Sequence, residues 1–480
     1  MCMRISKSVL SILVLLLIVF SESNAQEQLG LKIENYSGIN SVLLNPTYQL
    51  TSPMKWSFNL ASAGIFFDNN YGYLQNTSAI NALRRRNEIK SRPDINTETE
   101  NPDDFLILDY YNGNNKKQGS LLATVMGPSF MLNLNSGWSI GLYTNYRVAS
   151  SARKIPSSLN YYEFENKEIG DEFEVAPFKV AGMSWGELGF NVAKKMQTNI
   201  GTIGIGINLK ILNGNDGFFF NNNNTFQLSK LSIDSLDFES LDVNYGYTES
   251  LDSEDNYVRQ RSGTGLGVDI GFSYIEEYRD GTYQWKAGAA LVDIGRVNFN
   301  QNAPQFSINS DNAFTFATET FDRLSTIDDR SDFLSLSALN NESSAKTDDN
   351  FKIWLPAALT AFVDYRLTKS VYLNAVLVQS IPLGKNAVAR DNLLAFTPRY
   401  EKKWFGAMMP ISLYNYRKVR VGFAARLAFL TIGTEDLLSF VKQDEFTGSD
   451  LYVGVRVNPF NLGLGNGERG DNHRSKGCYW

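Results

Sequence analysis

Residues 263–274 read GTGLGVDIGFSY. Thr264, Leu266, Val268, Ile270, Phe272 and Tyr274 share one side and form a nearly continuous apolar face. Gly263, Gly265, Gly267, Asp269, Gly271 and Ser273 make the other side, which is almost empty. Alternation of period two predicts a strand with one dry and one wet face. Glycine weakens a strand interior unless something must lie close to it. The stretch therefore asks which face is the inside, and what sits against the glycines.

The same pattern recurs along the chain. In TIGIGINLKI (202–211) Ile203, Ile205, Ile207, Leu209 and Ile211 oppose Gly204, Gly206, Asn208 and Lys210. GWSIGLYTNYRV (137–148), KVRVGFAARLAF (418–429) and LYVGVRVN (451–458) divide in the same way. Noisier runs lie near 54–66, 120–134, 182–195, 282–294, 352–367, 370–382, 392–401 and 404–416. A soluble sandwich would bury the apolar rows between sheets. A transmembrane barrel turns them to lipid and lines its lumen with the small and polar rows.

Four features select the barrel. The runs are about 9–14 residues long, the span of a tilted membrane strand rather than the five or six typical of sandwiches. The wet face is rich in Gly and Asn, as a crowded lumen requires. Trp56, Trp138, Tyr274, Trp285, Trp354, Tyr414 and Phe460 lie near run ends, as interfacial girdles do. Very short links, such as Asn135-Ser136 and Arg279-Asp280-Gly281, alternate with long polar ones at 69–118 and 298–350. Counting 225–248 as one or two strands gives thirteen to fifteen, and closure with both ends on one side requires an even number. The expectation is an all-β, transmembrane antiparallel barrel of about fourteen strands, with 225–248 and 392–416 its least certain segments.

The N-terminus fits export. Arg4 and Lys7 precede an apolar run from Val9 to Phe20, and Ser23-Asn24-Ala25 supplies small residues before a cut at Gln26. This is the layout of a signal peptide, 1–25, and with the barrel pattern it gives the outer membrane of a Gram-negative bacterium as the expected location. Cleavage leaves Cys478 as the one cysteine, so no intramolecular disulfide is available. Forty-five basic against 51 acidic residues argue against nucleic acid as a partner. The one histidine, His473, lies in a Gly/Asn/charged tail, which leaves no Ser-His-Asp triad and no His/Cys zinc set. No enzyme, cofactor or metal site is expected.

Residues 26–53 precede the first membrane-length strand and are too mixed to be a strand themselves, 54–460 are read as the barrel, and 461–480 as a flexible periplasmic tail. Cys478-Tyr479-Trp480 reads as a disordered end or a small anchor for a partner. SAINALRRRNEIK (78–90) is expected to hold a short amphipathic helix, either solvated or touching an anionic head group or a partner, and GTEDLLSFV (433–441) a helical turn between the last two strands. TETENPDD (97–104) reads as irregular, and the phenylalanines at 306, 314, 316, 321 and 333 as a loop folded on itself or over the barrel mouth.

SGINSVLLNPTY (37–48) resembles the segment, small residues then Asn-Pro-Ala, that opens barrels of the long-chain fatty-acid transporter type, here with Asn45 and Pro46 but Thr47 in place of Ala. In those proteins an N-terminal hatch fills a fourteen-strand lumen. With GTGLGVDIGF and the closing DLYVGVRVNPF, the chain is similar to a large uncharacterised family of outer-membrane barrels that accompany gliding and type IX secretion. The resemblance implies that residues 26–53 form an N-terminal hatch, or plug, whose backbone approaches the glycine-lined wall.

The expected lumenal set is Arg147, Lys210, Asp269, Asp364, Arg366, Arg420, Arg426 and Arg456. Two roles are open for it: an ion-pair network with the hatch, or a positive stripe at Arg420, Arg426 and Arg456 that steers an anionic or amphipathic solute. Two functions follow. One is passive transport of small hydrophobic or amphipathic molecules. The other is a non-transporting accessory subunit of a surface or secretion assembly, with loops and tail as docking sites for a periplasmic or surface protein. The first expects a continuous path beside the hatch, the second a sealed lumen.

Overall fold

The computed structural model describes residues 27–458, apart from 97, 200, 251–256 and 278–282. The signal peptide, the tail with Cys478 and His473, Phe460 and the Arg279-Asp280-Gly281 turn lie outside the described residues.

Fourteen antiparallel strands close into a barrel. They are β1 (Trp56–Asn69), β2 (Lys117–Met126 and Ser129–Asn133), β3 (Trp138–Ile155), β4 (Phe178–Thr198) and β5 (Gly201–Asn222). Next come β6 (Gly263–Glu277), β7 (Tyr283–Phe299), β8 (Phe351–Trp354 and Ala358–Arg366), β9 (Val371–Ser380) and β10 (Leu393–Glu401). The last four are β11 (Phe405–Met408 and Ile411–Tyr414), β12 (Lys418–Val421 and Phe423–Leu427), β13 (Leu430–Thr434) and β14 (Gly448–Val457). β14 returns to β1 in register from Phe58↔Val457 to Asp68↔Gly448, which closes the ring. Closure removes the exposed sheet edges that an open sheet would offer.

The faces settle between sandwich and barrel. Ile205, Leu209 and Ile211 of β5 and Leu266, Ile270 and Phe272 of β6 point outward with 48–70 % of their surface exposed. Asn208, Lys210 and Asp269, on the opposite side, are buried. A chain whose greasy rows face outward around a closed ring is built for hydrocarbon, not water. Trp138 and Trp285 are exposed near strand ends, as expected, but Tyr414 is not an interface residue. It is buried at the barrel mouth with Arg420 4.3 Å from its ring centroid.

Two expectations about strands need correction. None of the fourteen comes from 225–248. Phe226–Ser232 and Ser235–Phe238 join Glu172–Val175 and Phe314–Ala317 in a separate four-stranded sheet, and Leu241–Tyr247 extends the wall above Phe218–Asn222 of β5. The missing strand is β13, five residues after a tight turn at Ala428, whose φ is +52°. Its brevity hid it between two clearer runs.

Short turns crowd one rim and long connections the other, where they fold rather than hang loose. Phe173, Val175, Leu228, Val243, Phe306 and Ile308 bury one another in a core above the membrane strands. The 306–333 phenylalanines take part, with Phe238 stacked on Phe314 at 4.9 Å and Phe316 against Phe321 and Phe333. A second sheet joins Gly72–Thr77, Ile89–Ser91, Leu106–Tyr110 and Asp444–Phe446. Residues 97–104 are not wholly irregular, since Pro102–Asp104 form a 3₁₀ turn.

Candidate functional site

The lumen is filled by residues 27–53. Leu29–Lys32 form one helical turn, and Gly38–Leu43 and Tyr48–Thr51 form 3₁₀ turns, so the segment is compact without being a strand. Leu29, Leu31, Ile33, Ile39, Val42 and Leu44 have no accessible surface.

Glycines of the wall lie against this hatch. A methyl on Gly271 would meet Asn45 Oδ1 and come 2.7 Å from Pro46 Cδ. On Gly206 it would lie 2.9 Å from the Pro46 carbonyl carbon, and on Gly204 2.8 Å from Leu50. The wall then bonds the hatch backbone. Asn208 Nδ2 donates to Val42 O at 2.9 Å, Asn191 Nδ2 to Pro46 O at 3.1 Å, and Thr360 Oγ1 to Leu44 O at 2.7 Å. Asn45 holds its own turn by accepting from Thr47 N–H at 2.9 Å and Thr47 Oγ1 at 2.8 Å.

The lumenal charges form two networks. In the first, Arg147 reaches Asp293 at 2.8 Å and Glu187 at 3.0 Å, and Lys210 reaches Asp269 at 2.7 Å and Asp293 at 2.6 Å. Arg390 joins Asp293 at 3.3 Å to hatch residue Glu27 at 2.7 Å, and Lys32 lies 3.7 Å from Glu27. Four carboxylates thus face four bases, which satisfies the requirement that buried charge be paired. Burial opposes the charge on Glu27, yet Arg390 and Lys32 hold its carboxyl below the usual range.

In the second network Arg399 grips Asp364 at 2.9 Å and Glu401 at 2.9 Å, and donates to the hatch carbonyl of Ile33. Tyr48 donates to Ile33 O at 2.9 Å, and Lys286 donates to Thr51 at 2.9 Å. Arg426 pairs with hatch residue Glu34 at 2.7 Å. Arg456 donates to the hatch carbonyls of Leu31 and Ser37 and to Thr431.

All eight expected lumenal residues are buried. Arg426, Arg456 and Asp364 touch the hatch. Arg147, Lys210 and Asp269 act one step removed, through Asp293 and Arg390, and Asp269 makes its bonds to the wall. Arg420 pairs with Asp68 and Asp436 at the mouth. Arg366, at the short-turn rim, donates to Thr368 O at 3.2 Å. Arg420, Arg426 and Arg456 are therefore each engaged by protein partners and do not form an open stripe.

Sequence reasoning missed Glu187, Lys286, Asp293, Arg390, Arg399 and Glu401. Arg399 and Glu401 were within reach, because Leu393, Ala395, Thr397, Arg399 and Glu401 alternate cleanly against Leu394, Phe396 and Tyr400. Asp293 was not, because it sits in a bulge with φ +58° that switches which parity faces inward.

The wall strands β2, β8, β11 and β12 are each interrupted, and the interruption in β2 lies beside an apolar part of the hatch interface. Gly127-Pro128 interrupts β2, and Leu60 of β1 bulges alongside it. Proline has no N–H to offer the ladder. Inside this break Ile39 and Val42 of the hatch pack with Met126, Met131 and Tyr143. Hatch Asn40 donates to Asn59 Oδ1 at 3.2 Å, and Asn59 donates to Gly127 O at 3.1 Å. A small cavity of about 20 Å³ lies near Phe66, Arg147 and Arg390.

Comparison with solved structures finds distant likeness. The Pseudomonas putida toluene transporter TodX aligns over 91 % of this chain and 97 % of its own, at 10 % identity and TM-score 0.38. A Pseudomonas aeruginosa FadL homologue aligns over 91 % and 98 % at 8 % identity and TM-score 0.24, and the translocator domain of autotransporter NalP from Neisseria meningitidis over 87 % and 95 % at 7 % and 0.30. No curated protein matches the chain. Residues 46–435, most of the barrel together with the end of the hatch, match the family described as "Family of unknown function (DUF5723)", and the chain belongs to that family.

Proposed function

We propose that this chain is an outer-membrane barrel that passes small hydrophobic molecules, with the hatch as its gate. The observation that carries the reading is the break at Gly127-Pro128, set against an apolar cluster shared by hatch and wall. Elsewhere the hatch is held by ion pairs and hydrogen bonds together with a larger apolar cluster, in which Leu29, Leu31, Ile33, Leu44 and Tyr48 meet Phe362, Val376, Val378 and Tyr452 of the wall. An apolar solute gains by entering a site lined with Met, Ile, Val and Tyr. The lipid-facing side of the break, at Pro128, is exposed, which suits a route between the wall and the membrane. The signal-peptide layout of 1–25 supports export to the outer membrane of a Gram-negative bacterium.

The test is uptake of a radiolabelled monoaromatic hydrocarbon and a long-chain fatty acid by cells with and without the chain. Faster uptake, slowed by a Gly127→Val, Pro128→Val variant that restores a ladder N–H, supports the reading. Equal uptake in all three overturns it.

A second reading, an accessory subunit of a surface or secretion assembly, is favoured by a different observation. Residues 27–53 occupy the lumen with their apolar side chains buried, and the long connections build a folded lobe with its own core. Co-purification of a stoichiometric protein partner with a barrel that moves no solute would select it.

A further inference from the structure

Beyond the end of β13 the chain stays on the wall. Leu437 N–H donates to Val421 O of β12 at 2.8 Å, and the helical turn Leu438–Val441 continues along the long-loop rim. The helix Ala79–Arg84, capped by the Ser78 side chain, packs beside it. These two elements, distant in sequence, expose Ile80, Leu83, Leu437, Leu438 and Val441, the last at 73 %. Next to them on the wall Val419 is 65 % exposed and leads into the lipid-facing rows of β12 and β13. The patch is thus continuous with the surface that hydrocarbon covers.

Its margin is basic. Arg84 and Arg86 are exposed, and no carboxylate pairs with either among the described residues. Arg85 is matched by Glu88 and Lys442 by Asp444. Apolar residues flanked by guanidinium groups that no carboxylate neutralises, at a membrane rim, have the composition of an interfacial lipid contact. Guanidinium also suits the geometry of phosphate oxygens.

We propose that this patch seats on the leaflet around the long-loop rim, its apolar side chains entering the acyl-chain boundary while Arg84 and Arg86 hold the phosphates of anionic lipid head groups. The contact steadies the sheet that carries residues 72–110 at a fixed height above the membrane. It requires only that the barrel stand in lipid, and is independent of whether solute passes.

The full chain is placed in nanodiscs, with a bimane label on Val441→Cys in a background free of other cysteines. Brominated acyl chains should quench this label, and should not quench the same label at Asn114, which is exposed in the connection above. In discs containing phosphatidylglycerol, Arg84→Gln and Arg86→Gln should each weaken retention of that lipid, counted by native mass spectrometry, by roughly fivefold. An unquenched label at 441, or retention unchanged in the double variant, overturns the proposal. So does a spectral response to inorganic phosphate alone in discs of pure phosphatidylcholine.

Discussion

Gly206→Ala and Gly271→Ala test whether the glycine rows exist to seat the hatch. A Cβ at Gly206 would lie 2.9–3.0 Å from Pro46 backbone and side-chain atoms, and one at Gly271 2.7 Å from Pro46 Cδ. Ordinary contact begins near 3.4 Å, so the Pro46 backbone must retreat by about half an ångström from Gly206 alone. The retreat strains the bonds that hold Val42, Leu44 and Pro46 to Asn208, Thr360 and Asn191. Overpacking costs about 1–3 kcal/mol and each weakened hydrogen bond up to about 1 kcal/mol, so the double variant disfavours the seated hatch by about 3 kcal/mol. That corresponds to roughly a hundredfold rise in the unseated fraction. The strand itself does not suffer, because alanine costs less conformational entropy than glycine.

Two readouts follow the hatch rather than the barrel: ion conductance in a planar bilayer, and maleimide labelling of Ser41→Cys in a Cys478→Ser background. Both should increase, while heat-modifiable migration on gels, which reports barrel closure, stays as in the parent. Gly186→Ala is the control, since its added methyl would have no neighbour nearer than 4.0 Å. If the double variant is as silent as the control, the close approach of hatch to wall carries no energy and the reasoning fails.

Asp364→Asn leaves Arg399 in a buried site with Glu401 as its remaining carboxylate, and should cost about 3–5 kcal/mol in urea unfolding from detergent micelles; a shift below 1 kcal/mol would show that the pair is dispensable. Burial, and then Asp450 nearby, push Glu435 up to about 8. Because the folded value lies above the ordinary one, its contribution is full below about pH 4.5 and is lost as pH rises through 8, so melting temperature should fall across that window. Glu435→Gln should flatten the profile, and an unchanged slope would assign it elsewhere. Ile270→Arg, on the lipid-facing row of β6, should raise the folding free energy into bilayers by about 2–4 kcal/mol. Refolding identical to the parent would mean that the row does not meet hydrocarbon.

The opening stretch shows how far alternation reaches. In β6 and in residues 202–211 of β5 each side chain took the face its parity predicted, because these runs keep one phase and two different solvents act on their two faces. Parity fails where the backbone changes phase. Asp293 became the hub of the charge network by lying in a bulge, and no count of alternate residues finds it. Arg390 enters the lumen from a connection between strands, where period two has no meaning. Residues 226–238 alternate well enough to resemble membrane strands, yet pair with Glu172–Val175 and Phe314–Ala317, a choice made by loops closing over long sequence distances.

From the residues alone came the barrel, its approximate strand number and the inward glycine face. Each is written locally, in periods and turn signals that the solvent on either side enforces. The tertiary structure alone decided which charges meet, how the hatch seats in the lumen, where the wall breaks and how the long connections fold. Those outcomes depend on side chains brought together across hundreds of residues, where geometry selects the partner and composition does not.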